Sequence, residues 1–205
     1  AGGRSLQLLD QYFCAKRGCR LRGAGAGRSQ SAGGGVRTVE DARALLRAGA
    51  DKVAINTAAT RRPELITEMA ENFGAQCMVL SIQAKRHKDG WEAYCDQGRE
   101  HTGLNVIEFA RRGQELGAGE ILITSVDMEG TGKGFDIDLV KAVSDAVTIP
   151  VIASGGMGAI NHIIDLPRTT MVNGVAMART LHFNELRLHD IRNTLRDAGL
   201  AVRTP

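Results

Sequence analysis

Two glycine clusters and one amide hold the chemistry that this chain could do. Ser31-Ala32-Gly33-Gly34-Gly35 and Ser154-Gly155-Gly156 each close a short strand and run into a helical segment. At such a turn, glycines let backbone N–H groups approach a phosphate with no Cβ in the way, and the helix start adds a favourable dipole. A tight strand-to-helix turn alone makes the same demand of the backbone. Two such clusters, together with the side-chain donors of Asn56 and Thr57 at a neighbouring strand end, point to a double phosphate site. The stretch "SVDMEGTGKG" adds Gly130 and Thr131 on a third loop. Asn56 follows Gly35 by 21 residues and Met177 follows Gly156 by the same 21, as expected of two similar βαβ units facing one another. The amide is Gln83, at the end of the strand "CMVLSIQ". In a parallel α/β barrel that position normally carries a catalytic group, yet an amide can neither give nor take a proton at neutral pH.

The elements that must position these residues alternate regularly. The spacing predicts helices over 38–49, 62–74, 104–117, 137–147 and 184–199. Strands are expected at 51–56, 77–83, 120–127, 150–156 and 171–178, with a short strand end at 31–35. Thr38 with Asp41 reads as a capping box, and Gly49 and Gly74 as helix stops. Residues 87–98 read as a polar excursion, and Pro167 is expected to interrupt a weak helical stretch. Six β-then-α units with strands apolar on both faces argue for a parallel sheet covered by helices. Polar residues and glycine turns recurring at the same strand ends favour a (β/α)8 barrel over a doubly wound sheet.

Composition excludes several classes. The apolar runs are too short for a membrane span, and the N-terminus lacks a signal-peptide pattern, so a cytoplasmic protein is expected. Six basic residues among the first 31 (Arg4, Lys16, Arg17, Arg20, Arg22 and Arg28) face Asp10 alone. That stretch is glycine-rich and has few aromatics, which argues for a solvated segment rather than a nucleic-acid arm. Cys14, Cys19, Cys77 and Cys95 are too scattered for a disulfide scaffold or a metal site. There is no Walker A run and no dinucleotide fingerprint. No metal and no cofactor are expected.

"AGGGVRTVEDARALLRAGADKVAINTAA", "GAGEILITSVDMEGTGKGFD" and "PVIASGGMG" resemble the HisF family, the cyclase subunit of imidazole glycerol phosphate synthase in histidine biosynthesis. The resemblance runs from about Ser31 to Arg203. It implies a (β/α)8 barrel that takes ammonia from a glutaminase partner. The family's substrate is a bisphosphorylated ribulosyl carboxamide nucleotide, converted to imidazole glycerol phosphate and a purine precursor. By position, Gly35, Asn56 and Thr57 would hold one phosphate. Gly130, Thr131, Gly155, Gly156, Ala178 and Arg179 would hold the other. Lys52 and Glu120 would belong to the ammonia entrance, and Asp51 would touch the glutaminase.

The departures are as informative. The family motif I-D-A-K-R is here Ile82-Gln83-Ala84-Lys85-Arg86, so Gln83 stands where a catalytic aspartate belongs. Asp127 and Glu129 are the acidic groups that could take over, Glu129 replacing a family aspartate. Arg179 occupies the place of a small residue. By the same resemblance the first strand, first helix and second strand are expected to be missing, and with them the other catalytic aspartate. On that ground Gln83→Asp alone is expected to restore little activity. Gly156→Val is expected to weaken bisphosphate binding more than folding.

The chain thus reads as an atypical segment over residues 1–30 followed by an incomplete barrel over 31–205. Open strand edges imply self-association unless "LQLLDQYF" supplies a replacement strand. Two other readings stay open. One is a non-catalytic, phosphate-ligand-binding barrel fragment completed by a partner chain. The other is an amidotransferase-coupled enzyme of surface-sugar biosynthesis.

Overall fold

The computed structural model describes residues 6–10 and 30–202. Cys14, Cys19 and the Gly23–Gly27 run lie outside the described residues. The strands are β1 (Gln7–Asp10), β2 (Ser31–Gly33), β3 (Lys52–Ile55), β4 (Met78–His87), β5 (Gly90–Cys95), β6 (Glu100–Asn105), β7 (Glu120–Ser125), β8 (Val151–Ser154) and β9 (Gly174–Met177). The helices are α1 (Val39–Arg47), α2 (Thr57–Arg61), α3 (Glu64–Phe73), α4 (Val106–Glu115), α5 (Ile137–Ala146), α6 (Ile160–Thr169), α7 (Arg179–His182) and α8 (Leu188–Asp197).

Seven strands run parallel in the order β1-β9-β8-β7-β4-β3-β2, a curled partial (β/α)8 barrel. Gln7–Asp10, from the segment expected to give a replacement strand, pairs with β9 and brings Asp10 opposite Met177. No strand among the described residues lies between β1 and β2, the two ends of the path.

Side-chain parity builds two layers from each strand. Val53, Ile55, Leu80, Ile82, Ile121, Ile123, Val151 and Val175 point outward and join the helices in the main core. Ala54, Val79, Leu122, Ile152 and Ala176 form a second, inner cluster. The same inner parity carries Ser81, Gln83, Thr124 and Ser154 toward the C-terminal mouth, where all four line a cavity. At the other end of the strands it carries Lys52 and Glu120. Counting in twos thus places the ion pair of β3 and β7, the apolar plug and the polar mouth.

The helices largely follow their sequence signals. Thr38 and Asp41 form the expected capping box on α1, and Gly49 and Gly74 take left-handed φ values of +105° and +86°. Two expectations change. Residues 87–98 are not an irregular excursion: β4 continues to His87 and pairs with β5, which pairs with β6, both antiparallel. Pro167 does not interrupt α6. It sits near the end of the helix, and the Thr170 N–H and hydroxyl both donate to Leu166 O, closing the last turn.

Candidate active site

A cavity of about 920 Å³ opens at the C-terminal ends of the parallel strands. Gly34 and Gly35 line it after β2, Asn56 and Thr57 after β3, and Gln83 from β4. Glu129 and Gly130 line it after β7, Gly155 and Gly156 after β8, and Ala178 and Arg179 after β9. One space thus gathers most of the residues expected to bind phosphate, from six different strand ends.

Other expected site residues lie elsewhere. Thr131 donates its hydroxyl to Met128 O and receives Lys133 N–H, so it shapes the glycine loop. Asp127 is outside the cavity lining; its Oδ2 accepts from Arg86 N–H at 2.7 Å, tying the loop after β7 to the extension of β4. Lys52 and Glu120 meet at 2.7 Å near the N-terminal strand ends, with Glu120 buried. Removing one partner of a buried pair leaves the other uncompensated. Lys52→Met is therefore expected to cost about 3 kcal/mol, read as a lower denaturation midpoint. Asp51 accepts from Gln30 N–H through Oδ2 at 2.8 Å and is exposed beside that end.

Asn56 is committed within the protein. Its Nδ2 donates to Ser81 O at 3.0 Å and to Tyr94 O at 3.1 Å. Thr57 Oγ1 accepts from Asp96 N–H at 3.0 Å. These bonds fasten the turn between β5 and β6 over the mouth, and Asp96 and Gln97 of that turn join the lining. Asp96, Gln97 and Gly98 all take positive φ, and a side chain at Gly98 would press on Val126 across the opening. Composition had concealed this roof. The Asp89-Gly90 pair and the "CDQG" stretch were its available signals, both turn-formers at the ends of a six-residue strand.

The chemistry of the lining is uneven. Gln83 Oε1 is buried with no hydrogen-bond partner, and so is Ser125 Oγ just behind β7's mouth end. An acceptor left this way is stabilised by whatever ligand donates to it. Glu129 keeps much of its surface exposed, yet desolvation of its carboxyl raises the pKa above the ordinary value. The folded protein then holds a proton that the unfolded chain has released. Stability therefore falls as pH climbs from the ordinary carboxylate range through the raised value, and the loss is complete above it. Glu129→Gln is expected to remove that slope and to stabilise the protein at neutral pH. Urea midpoints at acid and neutral pH check it, and an unchanged slope would refute it.

A family model described as histidine biosynthesis protein matches residues 29–187. The chain belongs to the histidine biosynthesis protein family. Within it, the chain is 64% identical over 129 residues to the imidazole glycerol phosphate synthase subunit HisF of Legionella pneumophila, covering 62% of this chain and 61% of that one. It is 49% identical over 178 residues to the HisF subunit of Nocardia farcinica, covering 83% of this chain and 69% of that one. The chain thus spans roughly two thirds of the length of these relatives. The family match takes in every residue that lines the cavity and leaves β1 outside it. Among the described residues, no group of His, Cys, Asp and Glu is arranged to hold a metal, and no helix is long and apolar enough to cross a membrane.

Proposed function

We propose that this histidine-biosynthesis barrel binds a bisphosphorylated ribulosyl nucleotide across its mouth and is a HisF-type cyclase with impaired proton transfer. The observation that carries the reading is one cavity lined by two glycine arms, Gly34-Gly35 and Gly155-Gly156, with Gln83 between them. Both arms present left-handed glycines, with φ of +94°, +74°, +92° and +98°. Backbone N–H groups in such turns favour anions. A ligand with a phosphate at each end would span the cavity and bring its middle to Gln83 and Glu129.

The reaction needs a general acid and base, and a positioned carboxyl typically contributes 10²–10⁴-fold. Gln83 keeps the polarity of that position without its titration. Ammonia would come from a glutaminase partner docked at the N-terminal strand ends, beside Asp51, and would pass the Lys52–Glu120 pair. A cytoplasmic setting fits that partnership. The strand edges of β1 and β2, unpaired among the described residues, also support self-association, expected as a concentration-dependent sedimentation coefficient. Initial rates with the bisphosphate and ammonium salts test the function. Bound substrate with turnover far below a Gln83→Asp variant supports the reading, and rapid turnover by the natural sequence opposes it.

A further inference from the structure

The turn that roofs the mouth carries one side chain on a backbone that its type disfavours. We propose that Gln97 contacts the ligand's sugar hydroxyls from the roof, and so helps to set which bisphosphates the cavity accepts. This inference rests on the bisphosphate reading above.

The non-glycine residues with positive φ among the described ones are Lys88, Asp96, Gln97 and Asn184. Of these, Asp96 and Gln97 line the cavity. Aspartate tolerates the left-handed region, whereas glutamine is strained there and glycine is not. Gln97 has φ +60°. It is exposed, and its side-chain amide has no hydrogen-bond partner among the described residues. No contact within the fold therefore accounts for a glutamine at this place.

The turn is held firmly enough to keep the strain. Asp96 N–H donates to Thr57 Oγ1 at 3.0 Å, and Gly98 and Arg99 N–H both donate to Cys95 O at 3.1 Å. Beyond the turn, Glu100 pairs with Arg61 at 3.1 Å. Backbone strain fixed by its surroundings at the lip of a cavity points to a use for the side chain outside the fold.

The chemistry of the position suits a hydroxyl. The two glycine arms supply backbone donors for the phosphates. Between them the floor offers the neutral side chains of Ser81, Gln83, Thr124 and Ser154. Gln97 adds a neutral amide on the roof, and an amide both donates and accepts, as a hydroxyl does. The Asp96 carboxylate beside it repels a phosphate at the lip and accepts only from donors.

The test is calorimetric titration of the natural chain, Gln97→Met and Gln97→Gly, with thermal melts to report folding. The ligands are the bisphosphorylated ribulosyl nucleotide and two analogues, one lacking its ribosyl hydroxyls and one lacking its ribulosyl hydroxyls. Gln97→Met keeps length and strain without the amide, and Gln97→Gly removes both. Each variant should bind the full nucleotide about fivefold more weakly, the size of one lost hydrogen bond. Gln97→Gly should melt no lower than the natural sequence. The loss should vanish with one analogue, which identifies the sugar that Gln97 touches. A merely structural residue predicts the same loss with all three ligands. Full affinity in Gln97→Met, an undiminished loss with both analogues, or a lower melting point in Gln97→Gly overturns this inference alone. No binding by the natural sequence overturns it together with the proposed function.

Discussion

Gln83→Asp is expected to raise ammonium-dependent turnover by about 10²-fold or more, the lower end of what a positioned acid or base contributes. Parity fixes the direction of the side chain: Val79, Ser81 and Gln83 share the inner face of β4, and Gln83 ends that row at the cavity. The buried, unpartnered Oε1 marks the place where the new carboxylate would stand. From sequence, little gain was expected, for want of a first-strand aspartate. The cavity changes that expectation, because Glu129 lines it together with Gln83 and offers a second carboxyl. Adding Glu129→Gln to the Gln83→Asp chain should remove most of the gain. Initial rates at saturating ammonium measure both variants. A Gln83→Asp rate equal to that of the natural sequence would show that proton transfer at residue 83 is not what limits turnover.

Gly156→Val is expected to unfold the barrel at moderate temperature rather than to weaken binding selectively. Gly156 has φ +98°, and a Cβ there would run into the Gly134 carbonyl and crowd Met128. Gly134 N–H donates to Gly156 O at 2.7 Å, so the two backbones cannot separate without breaking that bond. Strain and a backbone collision together belong to the class of substitutions costing more than about 4 kcal/mol. Gly35 is the position that separates binding from folding. Its φ is +74°, but nothing lies within 4 Å of an added Cβ. Gly35→Ala should cost only about 1–2 kcal/mol of backbone strain while narrowing the first arm. Thermal melts and bisphosphate titrations on both variants check the contrast. A stable Gly156→Val chain would mean that the β8 turn relaxes freely.

The sequence made the barrel and its glycine arms legible because both obey local rules. Capping at Thr38, the stops at Gly49 and Gly74 and the two-residue parity of the strands need no knowledge of distant neighbours. The roof over the mouth was harder to read. Trp91, Glu92 and Tyr94 alternate only weakly in polarity, and what makes them a hairpin is pairing with an extended β4. That pairing is held by contacts such as Trp91 Nε1 with Asp136 Oδ2 at 3.1 Å and Arg86 over the Trp91 ring at 4.5 Å. The hydrogen bonds of Asn56 were hidden for a related reason. Its type suits a phosphate, but its two amide hydrogens are spent on carbonyls 25 and 38 residues away. Distant hydrogen bonds of this kind leave no spacing signal in the sequence.

The account stands or falls most directly on a calorimetric titration of the bisphosphorylated ribulosyl nucleotide into the natural sequence. Two glycine arms on one cavity predict saturable binding of one ligand per chain, and at least tenfold weaker binding of imidazole glycerol phosphate, which engages a single arm. Equal affinity for the two ligands, or no saturable heat with the bisphosphate, would contradict a mouth built to hold two phosphates.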